Sequence, residues 1–96
     1  MLAEVSLAPV GEGPSVSKFV ARAIEIIEQS GLEYEFHAMG TNLQGDFEQI
    51  MTVVKRCSDA MHAMGAQRVI IRMYIDDRRD KPSTLKGKIE AVKERL

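Results

Sequence analysis

Side chains able to hold a small polar ligand fall at alternate positions of three strand-like segments: Glu4 and Ser6 near the N-terminus, Glu35 and His37 in the middle, Arg72 and Tyr74 in the second half. In an extended strand successive side chains point to opposite faces. If Val5, Leu7, Val69, Ile71 and Met73 face a core, these six therefore share the other face. Carboxylates, a hydroxyl, a guanidinium and an aromatic ring on one sheet surface suit a flat heteroaromatic ligand, held by stacking and a few convergent hydrogen bonds. The competing reading is a wetted outer face crossed by pairs such as Glu4 with Arg72, since antiparallel sheets often expose one side.

No catalytic constellation accompanies these residues. Cys57 lies on the apolar side of a helical pattern and reads as a small core residue, not a nucleophile. His37 and His62 lie on different elements without a partner at ligand spacing, which argues against a metal site. Gly11-Glu12-Gly13-Pro14 lacks both the glycine fingerprint and the lysine of a phosphate loop, and reads as a turn. The chain is expected to be no enzyme and to need no metal or cofactor.

A different chemistry is concentrated in Asp76-Asp77-Arg78-Arg79-Asp80-Lys81, six consecutive ionisable residues that follow directly on the apolar run from Val69 to Ile75. Three roles compete for them: a subunit contact in which Arg78 and Arg79 pair with carboxylates of another chain, a solvated strand exit, and an anion site.

The elements that must position these groups follow from periodicity. Leu2 to Ala8 alternates as a strand that Pro9 is expected to end. Ser15 is a plausible N-cap for a helix whose apolar residues are Val16, Phe19, Val20, Ala23, Ile24 and Ile27, and Gly31 supplies a left-handed stop. Glu33 to Ala38 is a second strand, and Thr41 to Gly45 a short third. Asp46 and Gln49 form a capping-box pattern before a second helix carrying Phe47, Ile50, Met51, Val54, Cys57, Met61 and Met64 on its apolar side, as far as Gly65. The methionines Met51, Met61 and Met64 read as core. Arg68 to Asp76 is the fourth strand, and Thr84 to Leu96 a third, mostly polar helix. The order β-α-β-β-α-β plus a C-terminal helix is the split pattern of an α+β, ferredoxin-like sandwich. Right-handed crossovers put the first strand beside the third and fourth in a four-stranded antiparallel sheet, with two helices on one face and the other face open.

Composition limits the partners. With 96 residues the chain is expected to form a single domain, 1–96, small enough that a partner subunit would add useful burial. A net charge of −1 from 13 basic and 14 acidic groups offers no field for nucleic acid. One cysteine allows no internal disulfide, no apolar run is long enough to span a bilayer, and the N-terminus carries an acid where a signal peptide has basic charge. A cytoplasmic location is the expectation, with neither membrane nor nucleic acid as partner.

Three segments together resemble the small thiamine-binding protein family: Ala3-Glu4-Val5-Ser6-Leu7-Ala8-Pro9-Val10, Tyr34-Glu35 through Met39-Gly40-Thr41-Asn42-Leu43-Gln44-Gly45, and Ile75 to Lys81. The resemblance covers nearly the whole chain. It implies a ferredoxin-like domain that assembles as dimers and commonly tetramers, and that binds thiamine or its hydroxymethylpyrimidine portion without known catalysis. By match to the motifs, Ser6 and Thr41 are implied ligand contacts. Alternation supports Ser6 on the open face. If Leu43 is buried, Thr41 shares its side and Asn42 faces out unless the Gly40 turn shifts the register, so both residues are candidates. Glu4, Glu35 and Tyr74 follow from geometry: a carboxylate favours a cationic thiazolium or protonated pyrimidine, and a tyrosine ring offers a wall. A structural or regulatory oligomer whose open sheet face is a subunit interface is the alternative function.

Overall fold

The computed structural model describes residues 1–14 and 16–96. The elements run β1 (Leu2–Val10), α1 (Ser17–Gln29), β2 (Glu33–His37), β3 (Gly40–Gln44), α2 (Phe47–Ala63), β4 (Arg68–Asp76) and α3 (Leu85–Lys93). The sheet order β2-β3-β1-β4, antiparallel throughout, is the expected α+β ferredoxin-like arrangement. Ser15, expected as a helix cap, lies outside the described residues. Within them α1 starts after Val16, which provides no side-chain cap.

Helix ends elsewhere follow the local chemistry. Gln49 N donates to Asp46 Oδ1 at 2.7 Å while Asp46 N donates to Gln49 Oε1 at 3.0 Å, so two otherwise orphaned donors of the first turn of α2 are satisfied reciprocally. Gly31 beyond α1 and Gly65 beyond α2 take φ of +80° and +111°, which a side chain would strain.

The core lies between α1, α2 and one face of the sheet. Ala3, Val5 and Leu43 meet Phe19, Ala23, Ile26 and Ile27 of α1 and Ile50, Val53, Val54, Cys57 and Met61 of α2. Two expectations are corrected here. Met51 and Met64 are exposed, and Val53 takes the buried place beside Val54, because α2 presents a narrower and slightly rotated stripe to the sheet. Ile71 and Ile75 are only partly covered, because β4 is the outermost strand on its side and the helices centre on β1 and β3.

Pro9 does not end β1. It pairs in register with Val69, and Val10 with Arg68. A methyl group at Gly40 would lie 2.9 Å from the Val5 carbonyl oxygen, so Val5 turns its backbone toward β3, and by alternation so do Leu7 and Pro9. β3 pairs with β1 only as far as Val5. The missing N–H of Pro9 thus faces a side where no strand waits for it, the situation in which a sheet tolerates proline.

The face away from α1 and α2 is not wholly open. Leu2 is buried yet lies outside the core cluster, and its cross-strand neighbours are Gln44 and Asp76. α3 is tied to both: Leu85 N donates to Gln44 Oε1 at 3.0 Å, and Lys88 Nζ lies 2.6 Å from Asp76 Oδ2. The helix therefore bridges over Leu2 and closes one end of that face, leaving the rows beginning at Glu4 uncovered.

Burial of Cys57, with no exposed surface, pushes its thiol up to about 11 from 9.0, because the low-polarity surroundings disfavour the thiolate. The unfolded chain ionises this thiol first, so the stability it contributes is complete below about pH 9 and declines as pH rises toward 11. In native protein at neutral pH, Cys57 should react with a thiol reagent only as fast as the chain opens, and rapidly in denaturant. Immediate labelling of the native state would contradict its place in the core.

Candidate functional site

Register assembles the uncovered face row by row. Glu35, Asn42, Glu4 and Tyr74 form one cross-strand row over β2, β3, β1 and β4, and Ser6 stands opposite Arg72 in the next. The Glu4–Arg72 pair of the competing wetted-face reading does not form, because Tyr74 occupies the position opposite Glu4. Glu4, Ser6, Met39, Arg72, Met73 and Tyr74 line a cavity of about 450 Å³. Its aromatic wall, Tyr74, is 77 % exposed and has a free ring face to offer.

A second cavity, of about 220 Å³, opens on the opposite side of the sheet against α1. Thr41 lines it and is 5 % exposed, on the same side as Leu43, so it does not join the open face; Asn42 does. Apolar walls come from Val5, Leu7, Val20, Ile24 and Ile27. Ser6 and Met39 line both cavities. They meet there because β3 stops at Gly40 while β1 continues, which cuts a notch in the sheet beside Ser6 and Leu7. By the alternation described above, the Leu7 N–H and C=O point into this notch without a strand opposite them. The cavity thus has an adjacent backbone donor and acceptor along one wall and apolar side chains along the others.

A hydrogen-bonded chain crosses the open face. Asn42 Nδ2 reaches Glu35 Oε1 at 3.5 Å, Asn42 Oδ1 lies 3.1 Å from His37 Nε2, and the same nitrogen is 3.5 Å from Glu4 Oε2. Asn42 and Glu35 line neither cavity; they act on the site through His37 and Glu4. Of the six ligand-contact candidates, Glu4, Ser6 and Tyr74 meet in one cavity, Thr41 joins Ser6 in the other, and Glu35 and Asn42 stand behind Glu4. Sequence reasoning put His37 on the right face without a role, and missed Met39, whose position at the hairpin tip above the notch has no periodic signal.

The charged run is largely self-paired. Arg78 bonds Asp80 through Nε at 2.6 Å and Nη2 at 2.9 Å, Arg79 Nη2 bonds Asp77 at 2.9 Å, and Asp76 holds Lys88. The arginine hydrogen bonds hold the Asp77 and Asp80 carboxyls below their usual range. Arg78 and Lys81 also line a depression of about 290 Å³ with Ser83, Thr84 and Lys88 at the start of α3. It is separate from both cavities at Ser6.

Comparison with known proteins bears on this site. The family model described as "Thiamine-binding protein" matches residues 3–93. A UPF0045 protein of the cyanobacterium Synechocystis is 35% identical over 96% of this chain and 76% of its own length. The UPF0045 protein MJ1052 of Methanocaldococcus jannaschii is 39% identical over 98% of this chain and 93% of its own. The crystal structure of MJ1052 superposes with a TM-score of 0.88 at 40% identity, covering 97% of this chain and 95% of that one. A Thermotoga maritima protein, named provisionally for thiamine biosynthesis or salvage, superposes with a TM-score of 0.81 at 26% identity, covering 95% and 96% of the two chains.

The notch depends on how closely Gly40 approaches β1. Gly40→Ala sets a methyl group 2.9 Å from the Val5 carbonyl oxygen, where the colliding atom is backbone and the hairpin itself must move. Denaturant unfolding should show a loss of about 1–3 kcal/mol, the usual cost of forcing an extra methyl into a packed position. An unchanged midpoint would mean that the hairpin is free to shift.

Proposed function

The chain belongs to the thiamine-binding protein family, and from that membership we propose that it binds thiamine, or the hydroxymethylpyrimidine that thiamine contains, as a single non-enzymatic domain over residues 1–96, in the cytoplasm. The observation that carries this reading is the notch at Ser6. An aminopyrimidine has ring nitrogens that accept and an exocyclic amine that donates, flat faces otherwise. The free Leu7 N–H and C=O match that donor–acceptor edge, the hydroxyls of Ser6 and Thr41 stand nearby, and apolar side chains enclose the faces. A volume of about 220 Å³ is below the range of roughly 300–1,000 Å³ usual for drug-sized ligands, which suits one ring and not two. The remainder of thiamine is a permanent cation. In this reading it extends past Ser6 into the larger cavity, where the Glu4 carboxylate and the Tyr74 ring attract it and the Arg72 guanidinium opposes them.

Binding without turnover fits the nucleophile inventory. The thiol of Cys57 is buried and held neutral, and His62 is engaged by its Nδ1 with the Ala66 carbonyl at 2.8 Å.

The alternative of a structural or regulatory oligomer has its own supporting observation. β4 is a nine-residue edge strand with Ile70, Ile71, Tyr74 and Ile75 exposed, a surface that natural proteins rarely leave uncovered. We infer assembly as a homodimer or tetramer, with Asp76, Asp77, Arg78, Arg79, Asp80 and Lys81 at a subunit contact in which the internal pairs exchange for pairs between chains. The two readings are compatible, and separate experiments address them.

Calorimetric titration with thiamine and with hydroxymethylpyrimidine should give saturable heat, and Ser6→Ala should weaken binding by about 0.5–1.5 kcal/mol for the loss of one neutral hydrogen bond. Silence at millimolar ligand would sink the binding function. Arg79→Ala should lower the sedimentation coefficient of the assembly while leaving ligand titrations unchanged; an unaltered oligomer would remove the charged run from the contact.

A further inference from the structure

His37 is a titratable side chain of the open face to which ligand binding assigns no task. Its proton positions follow from its neighbours. Glu35 offers only acceptors, so the Asn42 amide must turn Nδ2 toward it, at 3.5 Å, and Oδ1 toward His37. Oδ1 also only accepts, so His37 Nε2, 3.1 Å away, must carry a hydrogen and donate it. A further proton can then enter only at Nδ1, and the imidazolium formed would place a full positive charge beside Glu4, whose Oε2 lies 3.5 Å from Nε2. The surrounding groups are few. Glu4 faces the ring from β1, Asn42 from β3, and Glu35 stands behind Asn42 on β2. Arg72 and Tyr74 lie across β1 on β4, and Lys86 of α3 borders Glu33 and Glu35 at the far end of β2. The core helices α1 and α2 pack on the other face.

Resting on the thiamine-binding reading, we propose that His37 determines the charge preference of the site. With His37 neutral, Glu4 and Arg72 are the charges that line the cavity, and Glu4 is the group in it that attracts a cationic heteroaromatic ring. With His37 protonated, the imidazolium pairs with Glu4, and a thiazolium entering the cavity meets one more positive charge than before. Histidine is the side chain whose ordinary charge change falls between about pH 5 and 8. Asn42 and Glu35 are positioning residues in this scheme: they fix which nitrogen of His37 carries the resting proton and hold the ring against Glu4. Thiamine carries its thiazolium charge at every pH, whereas hydroxymethylpyrimidine is cationic only when its ring is protonated.

The test measures thiamine binding by calorimetry at about pH 8 and about pH 6, a span centred within the imidazole range. Thiamine affinity of the unaltered protein should fall about five- to tenfold at the lower pH, the size of one close charge interaction in a solvated site. His37→Gln keeps a donor for Asn42 Oδ1 and cannot titrate, so its thiamine affinity should stay near the higher value at both pH values. Glu4→Gln should bind thiamine more weakly than the unaltered protein at about pH 8, because the attracting carboxylate is gone. The proposal is overturned if His37→Gln reproduces the fall of the unaltered protein. Saturable thiamine binding with a flat pH response removes the switch alone; no thiamine binding at any pH removes the binding function with it.

Discussion

β1 and β4 run for nine residues each, whereas β2 and β3 stop after five, and the candidate site is made from the surplus on β1. A sheet of equal strands would pair every in-plane donor and acceptor of β1 on both sides. Here pairing with β3 ends at Val5, and the backbone from Leu7 onward has β4 on one side and the hairpin tip on the other. Unpaired backbone groups next to a core are costly unless something satisfies them, which is why the notch invites a ligand with its own donor–acceptor edge. The same inequality explains the continuation of the strand through Pro9 and the bare glycine at position 40, where the backbones come too close for a Cβ.

Packing on the two sides of the sheet then divides the chemistry. α1 and α2 bury Ala3, Val5 and Leu43 and give the smaller cavity its apolar walls. On the other side α3 covers only the row of Leu2, held by Gln44 and Asp76, so Glu4, Ser6, Arg72 and Tyr74 stay accessible. Ser6 belongs to both environments. In the proposed function the ligand's flat neutral ring takes the enclosed compartment and its cationic ring the charged one.

The order of elements was legible because the apolar periods of 2 and 3.6 residues are clean and the boundaries carry glycines and a capping box. Alternation along β1 and β4 was enough to put Glu4, Ser6, Arg72 and Tyr74 on one face. Periodicity was less reliable where packing is partial: Met51 and Met64 fit the helical stripe of α2 but lie at its margins, and Ile71 and Ile75 fit a buried face but sit on an edge strand. Both errors have one cause, since hydrophobic spacing reports which side of an element faces inward and not how far a neighbour extends over it.

The amino-acid sequence by itself determined the α+β order, the capped start of α2, the glycine stops after α1 and α2 and the side of each strand on which a residue falls, because these are local consequences of backbone geometry. Only the tertiary structure decided that β3 stops short of Ser6, that α3 closes the Leu2 end of the outer face, and that Thr41 and Tyr74 stand in different cavities joined at one serine. Those outcomes depend on the relative lengths and register of strands far apart in the chain. Asn42 and His37 make the same point at atomic scale: each is an ordinary polar residue of a hairpin until pairing brings Glu35 and Glu4 to either end and fixes where the protons lie.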